Sequence, residues 1–124
     1  MSILSREIKS YFRQVLCQED GKITAQVSFP ENFTGFKGHF PSNPVVPGVC
    51  LVTCILVLLE LALKRKVRLK TIVLVKFLSI VRSEQEVVLE LRRGDQDAAC
   101  EQVKVLFRSA DKKVAEMTIE VTYE

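Results

Sequence analysis

The sequence predicts an α+β fold in which a curved antiparallel sheet wraps one long buried helix. Residues 48–66 have a helical pattern with apolar side chains on every face, and a helix that is apolar all round is buried all round. The flanking sequence contains two strand segments before this helix and four after it. A single helix is covered on all sides only if a sheet curves around it.

Length and composition predict one domain over residues 1–124. The chain is 48% apolar, which is enough for a core. Its net charge of +3 is too small to indicate nucleic-acid binding. No secretory signal is visible, and the longest uncharged apolar run, residues 45–59, is shorter than the ~20 residues of a membrane span. We therefore expect a cytoplasmic protein with no membrane span.

The first elements predicted are a short helix within residues 2–10 and a β-hairpin. Strands over residues 12–18 and 22–29 flank a turn that contains Asp20-Gly21, a strong hairpin signal. The second strand alternates, with Ile23, Ala25, Val27 and Phe29 on one face. This alternation predicts a strand that is buried on one side.

Residues 30–47 predict an irregular but apolar loop. Four prolines and two glycines exclude regular structure, yet the segment also contains Phe33, Phe36, His39 and Phe40. Such a loop is expected to pack over another part of the molecule.

The buried helix is predicted to begin at Gly48 or Val49 and to end at Lys66, with basic residues at its C-terminus. Strands follow over residues 69–82, 87–92, 99–109 and 114–123. A sheet of this kind leaves a long free edge, which favours pairing with a second copy.

The cysteines predict core thiols rather than a metal site. Cys50 and Cys54 share a helix face, while Cys17 and Cys100 are far away in sequence. With one histidine and scattered cysteines, no metal-ligand spacing is present, so no metal is expected.

The residues with the clearest chemistry surround the single histidine, His39. Imidazole titrates near neutrality and is well suited to moving a proton. The helix beginning at Gly48 and Val49 offers unpaired N–H groups to a developing oxyanion, and Gly48 allows close approach of a ligand. A base beside oxyanion donors favours proton abstraction next to a carbonyl group.

The segment Gly38-His39-Phe40-Pro41-x-x-Pro44-x-x-Pro47-Gly48-Val49 resembles the signature of FabA/FabZ-type 3-hydroxyacyl-acyl-carrier-protein dehydratases. The order of elements is similar to that family's hotdog fold over nearly the whole chain. The resemblance implies a dimer, with acyl-phosphopantetheine bound in a tunnel at the subunit interface and no other cofactor. It implies that His39 is the catalytic histidine and that the Gly48 N–H polarises the thioester carbonyl, with Val49 beside it.

One position departs from the family pattern. The family has a Glu or Asp fourteen residues after the histidine, where this chain has Thr53. A hydroxyl group can hold water or substrate, but it is a poor proton donor to a leaving hydroxide. The nearest helix carboxylate, Glu60, lies about 10 Å further along the helix, so a structural role is expected for it.

Three functions therefore remain open from the sequence. The first is a dehydratase in which His39, with water or Thr53, handles both proton transfers. The second is a hotdog thioesterase in which Thr53 orients a water. The third is a non-catalytic acyl-carrier binder, or a partner subunit of a heteromeric dehydratase whose second chain supplies the acid.

The residues that bind the acyl chain and the acyl carrier protein are predicted less specifically than those around His39. Candidate acyl-binding residues are Phe36, Phe40, Val52 and Leu56, although core packing is an alternative for the two phenylalanines. An acyl carrier protein, which is acidic, is the expected partner. Basic side chains that could contact it are Lys64 to Arg68, Arg82, Arg92, Arg93 and Arg108.

Overall fold

The computed structural model describes residues 2–36 and 44–124. The elements in chain order are α1 (Ile3–Lys9), β1 (Phe12–Cys17), β2 (Lys22–Val27), a 3₁₀ turn (Thr34–Phe36), α2 (Gly48–Leu63), β3 (Val67–Phe77), β4 (Val87–Arg93), β5 (Glu101–Ser109) and β6 (Lys112–Tyr123). The strands form one antiparallel sheet in the order β1-β2-β4-β5-β6-β3. The predicted hotdog arrangement of one long helix and an antiparallel sheet is confirmed.

The N-terminal elements are those that the sequence predicts. The Ser2 hydroxyl caps α1 by accepting a hydrogen bond from the Ser5 N–H at 3.0 Å. The strands β1 and β2 pair as a hairpin, and the inward-facing side chains Ile23, Ala25 and Val27 are each 2% exposed. The alternation along β2 therefore identified its buried face.

The core lies between α2 and the concave face of the sheet. Buried side chains alternate along the central strands β2, β4, β5 and β6, while their outward faces carry charged residues. Glu90 on the outward face of β4 pairs with Lys22 at 3.7 Å and with Arg108 at 3.4 Å. Arg108 is therefore part of an intramolecular ion pair.

The predicted ends of α2 and β3 differ most from the structure. The helix α2 ends at Leu63 rather than Lys66, because Lys64 adopts a left-handed conformation (φ 55°, ψ 40°) and donates its N–H to the Glu60 carbonyl oxygen at 2.9 Å. The strand β3 ends at Phe77 rather than at residue 82. The N–H groups of Leu78 and Ser79 both donate to the Val114 carbonyl oxygen, which ends the regular ladder.

A buried ion pair ties β4 to β5. The Arg93 guanidinium donates to both carboxylate oxygens of Glu101, at 2.9 and 2.6 Å, and Glu101 is 3% exposed. The guanidinium groups of Arg65 and Arg93 lie 4.9 and 5.6 Å from the centre of the Tyr123 ring. Arg93, which the sequence offers as a possible carrier-protein contact, is therefore engaged in contacts within the fold.

The two helix cysteines are core thiols, as predicted. Cys50 is 2% exposed and Cys54 is fully buried, and all four cysteines are reduced. Burial raises the pKa of both thiols, and the nearby Glu7 carboxylate adds to the effect at Cys50. Both groups are therefore protonated at neutral pH.

Neither helix of the described residues is long and apolar enough to cross a membrane. Within residues 2–36 and 44–124, no three His, Cys, Asp or Glu side chains are grouped in a way that could hold a metal ion.

Candidate active site

The start of α2 presents two N–H groups without an acceptor among the described residues. Pro47, the N-cap residue, is extended and has no N–H, and its carbonyl oxygen accepts from Cys50 N at 2.9 Å and from Leu51 N at 3.4 Å. No acceptor within residues 2–36 and 44–124 faces the N–H groups of Gly48 or Val49. This helix end can therefore donate two hydrogen bonds to an oxyanion.

Two backbone contacts fix the chain just before α2. The Val46 N–H donates to the Val81 carbonyl oxygen at 2.8 Å, and Val45 forms an antiparallel bridge with Arg82. The helix start is thereby attached to the segment that follows β3.

The segment that precedes residues 37–43 is anchored by Glu7 of α1. One oxygen of this carboxylate accepts from the Thr34 N–H at 2.7 Å and from the Tyr11 hydroxyl at 2.9 Å. Burial, with the Glu7 hydrogen bond and charge, raises the pKa of Tyr11 to about 12. The Tyr11 ring makes edge contacts with Phe29 and Phe33. These contacts hold the Thr34–Phe36 turn against the core.

The helix α2 is not buried all round, which corrects the sequence prediction. Eight of its residues are buried, but an accessible stripe runs along one face at helical spacing. Val49 is 67% exposed, and Thr53, Leu56 and Glu60 are partly exposed. The described residues of this chain leave the stripe accessible.

This stripe runs beside β3, because α2 contacts that strand at both ends. At the helix start, the Phe77 ring lies against Gly48. Near the other end, a Glu60 carboxylate oxygen accepts a hydrogen bond from the Val67 N–H at 3.0 Å. Glu60 therefore has the structural role expected for it. The space between these two contacts is called the edge groove below.

The strand β3 supplies the other wall of the edge groove. Leu69, Ile72 and Phe77 pair with inward-facing residues of β6, so their side chains point to the same concave side of the sheet. They are nevertheless 38%, 47% and 56% exposed. The groove is therefore apolar and open along the free edge of the sheet.

Thr53 lies in the middle of the accessible stripe. Its hydroxyl donates to the Val49 carbonyl oxygen, one turn back in the helix, at 2.9 Å. The hydroxyl hydrogen is therefore already engaged, and only the oxygen lone pairs are free for another partner.

The candidate acyl-binding residues fall into different environments. Phe36 is 7% exposed, with its ring 5.2 Å from that of Phe33, so the structure shows core packing. Val52 is buried, and Leu56 lines a cleft of about 320 Å³ between α1, the end of α2 and the start of β3. His39 and Phe40 lie outside the described residues.

The sequence reasoning missed a small apolar cavity beside Gly48. It has a volume of about 120 Å³, and its walls include Val46, Leu51, Phe77 and Ile80. One feature of the sequence pointed towards this cavity. The segment from residue 69 to residue 80 is apolar on both faces, which is unusual for an edge strand.

The basic residues that end α2 lie far from this helix start. Lys9, Lys64, Arg65 and Lys66 line a cleft of about 470 Å³ at the other end of the helix, about 24 Å from Gly48. Arg68 forms an ion pair with Glu124.

Comparison with known proteins identifies both fold and family. The family model described as ApeI dehydratase, of the ApeI-like group, matches residues 15–118. None of the curated proteins matches the chain significantly.

Several solved structures are similar in fold. One, from Xenorhabdus doucetiae, is described as the dehydratase heterocomplex ApeI:P; it is 18% identical with a TM-score of 0.68, over 90% of this chain and 93% of that one. An uncharacterized protein from Erwinia carotovora is 16% identical, with a TM-score of 0.67 over 90% of this chain and 92% of that one. Cj0977, a sigma28-regulated virulence protein from Campylobacter jejuni, is 11% identical, with a TM-score of 0.72 over 98% of this chain and 95% of that one.

Proposed function

The chain belongs to the ApeI-like dehydratase family, and we propose that it eliminates water from 3-hydroxyacyl thioesters, to give 2-enoyl thioesters in fatty-acid or related lipid or polyketide biosynthesis. The observation that carries this proposal is the pair of N–H groups at the start of α2 that have no acceptor among the described residues, beside an open apolar groove. An acyl thioester needs both features, because its carbonyl oxygen gains charge during reaction while its chain needs an apolar surface.

In the proposed reaction, His39 removes a proton from C2 of the substrate. The electron pair of that C–H bond forms the C2–C3 double bond, and the C3–O bond breaks. The leaving hydroxide takes up a proton and departs as water. The charge that develops on the thioester oxygen is stabilised by the N–H groups of Gly48 and Val49.

The donor of the proton that the leaving hydroxide takes up is the least defined part of the proposed reaction. Thr53 stands where the FabA/FabZ-type family has its acid, and its hydroxyl hydrogen is bonded to the Val49 carbonyl oxygen. Two sources remain within the proposal. The His39 imidazolium returns the proton it has taken, or a second chain in the edge groove supplies a carboxylate.

The substrate is proposed to arrive on the phosphopantetheine arm of an acyl carrier protein, with the acyl chain entering the edge groove. Leu56 and Val52 are the helix residues proposed to contact the chain, and Phe77 is added to them. The enzyme is proposed to need no cofactor of its own. The exposed apolar side chains along β3 favour a dimer that covers the groove.

One observation favours a second role, that of a subunit in a heteromeric dehydratase. Residue 53 is a threonine whose hydroxyl donates to the Val49 carbonyl oxygen, so two identical copies would have no carboxylate at this position. A second dehydratase-like chain with an acid on its helix would complete the site that contains His39.

The direct test is turnover of a 3-hydroxyacyl-carrier-protein substrate by the parent, His39→Ala and Thr53→Glu, with enoyl product and free acid measured together. We expect slow dehydration by the parent and none by His39→Ala. Thr53→Glu is expected to gain up to the roughly 10²–10⁴-fold that a general acid supplies. Thr53→Gln is the matched control, because it has nearly the same shape without an ionisable proton.

The other outcomes separate the alternatives. Activity only in Thr53→Glu would assign the parent to the heteromeric role. Release of free acid without enoyl product would indicate a thioesterase. Full activity in His39→Ala would contradict the proposed base.

A further inference from the structure

Exposed cations are concentrated where α2 ends, at the opposite end of that helix from the proposed oxyanion donors. Two of these cations belong to α1, and three belong to the residues that directly follow α2. All of them are exposed, and together with the exposed Ile3 they are called the basic face below: Arg6, Lys9, Lys64, Arg65 and Lys66.

The two segments of the basic face form one surface. Ile3, Arg6 and Lys9 are spaced three residues apart on α1, so they form a row along one side of that helix. Lys9, at the end of the row, lines the cleft of about 470 Å³ together with the three residues that follow α2. The row on α1 therefore continues into the end of α2.

The positive charge of the basic face is not neutralised by its surroundings. No ion pair within residues 2–36 and 44–124 involves any of its five cations. Of the described residues that line the cleft, Glu60 is the one acid, and its carboxylate accepts a hydrogen bond from the Val67 N–H. Arg65 is held with its guanidinium 4.9 Å from the centre of the Tyr123 ring. Five cations beside one carboxylate attract an external anion.

Ile3 and the wall of the cleft favour a lipid surface as that anion. Ile3 is 79% exposed, more than any other large apolar side chain of the described residues, and it lies in the same row as Arg6 and Lys9. Val57 and Leu61 make part of the cleft wall apolar. An apolar side chain beside lysine and arginine suits the boundary between lipid head groups and acyl chains. A soluble acidic protein would account for the cations but not for the exposed isoleucine.

We propose that the basic face binds peripherally to a bilayer that contains anionic phospholipid. Ile3 enters the boundary layer, and the cations lie beside the lipid phosphates. The Gly48 end of α2 is about 24 Å away, so the proposed oxyanion donors do not take part in this contact. The inference goes beyond the proposed function and does not rest on it.

The test is co-sedimentation of the full chain with two kinds of vesicle, one of phosphatidylcholine alone and one that also contains about 30% phosphatidylglycerol. We expect binding to the anionic vesicles only. Raising the salt from about 50 to about 500 mM should weaken that binding about tenfold or more, because the charges are exposed.

The charge-reversed variant K9E/K66E should bind the anionic vesicles at least about 30-fold more weakly, since each cation lost at such a surface costs about a factor of five. The matched control is K104E/K112E, which has the same net charge but places its substitutions on β5 and at the first residue of β6. We expect this control to retain most of the binding. Equal loss in both variants would show that net charge alone acts, and the proposal would be wrong.

The contribution of Ile3 is tested separately. Ile3→Ser should weaken binding to the anionic vesicles by about tenfold, whereas Ile3→Leu, which keeps an apolar group, should bind like the parent. Equal binding by all three proteins would contradict insertion of this side chain.

Two further outcomes would reassign the basic face. Binding of polyglutamate without binding of anionic vesicles would indicate an acidic protein as the partner. Tight binding of inorganic phosphate, measured by calorimetry, without vesicle binding would indicate a free phosphate ligand. Circular dichroism checks the fold of each variant. If K9E/K66E does not fold, Lys9→Gln and Lys66→Gln replace it, each with an expected loss of about fivefold.

Discussion

The Phe77 ring lies end-on against the α-carbon of Gly48, so that a Cβ atom at residue 48 would be 2.7 Å from the Phe77 Cζ. Phe77 is 56% exposed, which means that its ring can turn out towards solvent. The glycine therefore allows an aromatic side chain to lie beside the proposed oxyanion donors.

The first prediction concerns this contact. In a Phe77→Ala background, we expect Gly48→Ala to stabilise the fold by up to about 1 kcal/mol, because alanine favours a helix. In the parent, the same change should be less favourable by about 1 kcal/mol, since the ring must move. Urea unfolding of the four proteins in this double-mutant cycle measures the difference. Additive effects would show that the contact contributes nothing.

Gly35 gives the contrasting case. A Cβ there would be 2.5 Å from Cε2 of Phe33 and 3.2 Å from the Cys50 Sγ atom, and Phe33 is 1% exposed. Because this ring has no space to move into, we expect Gly35→Ala to lower the free energy of unfolding by about 1–3 kcal/mol. Denaturant unfolding of Gly35→Ala is compared with that of Gly21→Ala. At Gly21 an added Cβ would meet nothing within 4 Å, but φ is +87°, so this second variant reports backbone strain without crowding. If adding Phe33→Leu to Gly35→Ala restores the free energy of unfolding, crowding against the Phe33 ring explains the loss.

The buried ion pair between Arg93 and Glu101 predicts an asymmetric cost. Glu101→Ala leaves the Arg93 guanidinium, whose side chain is 16% exposed, without its carboxylate, so we expect a loss of about 3 kcal/mol in the free energy of unfolding. Adding Arg93→Met to Glu101→Ala should recover much of that loss, because no uncompensated charge remains. Thermal or urea unfolding of the three variants tests this. A double variant no more stable than Glu101→Ala would contradict the argument.

The raised pKa of Tyr11 predicts loss of stability in strong alkali. The phenol titrates at about 12 in the folded chain against 10.0 as its ordinary value, so the unfolded chain loses this proton first. Stability is therefore retained below pH 10 and falls as the pH rises from 10 towards 12. Tyr11→Phe should reduce this slope, and Glu7→Gln should lower the Tyr11 pKa. Ultraviolet titration of tyrosinate, with Tyr123 as the remaining signal in Tyr11→Phe, measures both.

Thiol reactivity should follow burial. Cys17 is exposed, whereas Cys50 and Cys54 are buried with pKa values raised by desolvation. With an aromatic disulfide reagent at neutral pH, we expect Cys17 to react within seconds to minutes and the two helix thiols to react only after unfolding. Cys17→Ser should remove the fastest phase and leave the reaction of the partly exposed Cys100. Rapid labelling of Cys54 in the native protein would mean that α2 opens locally.

The sequence predicted the elements well where their pattern is local. The alternation along β2 and the apolar run of α2 each depend on neighbouring residues, and both were identified correctly. The end of α2 depends on the left-handed conformation of Lys64 and on the Glu60 contact with Val67, which no local pattern reveals. The accessible stripe on α2 was missed for a related reason. An apolar side chain looks the same in a sequence whether its own sheet or another surface covers it.

The candidate site was predicted in outline. Gly48, Val49 and Thr53 lie together on the first turns of α2, beside the free edge, and the Thr53 hydroxyl donates to the Val49 carbonyl oxygen. For Phe36 the sequence leaves ligand contact and core packing open, because an aromatic residue in a loop has the same sequence signal in both cases, and the structure shows packing against Phe33. Phe77 was missed because its neighbour Gly48 is 29 residues earlier in the chain.

The position of β3 has a consequence for synthesis on the ribosome. This strand is made before β4 and β5, but its neighbour in the sheet is β6, with Val67 facing Tyr123. Until β6 emerges, both edges of the most apolar exposed strand in the described sheet are unpaired. Nascent chains are therefore expected to be most vulnerable to aggregation during this interval.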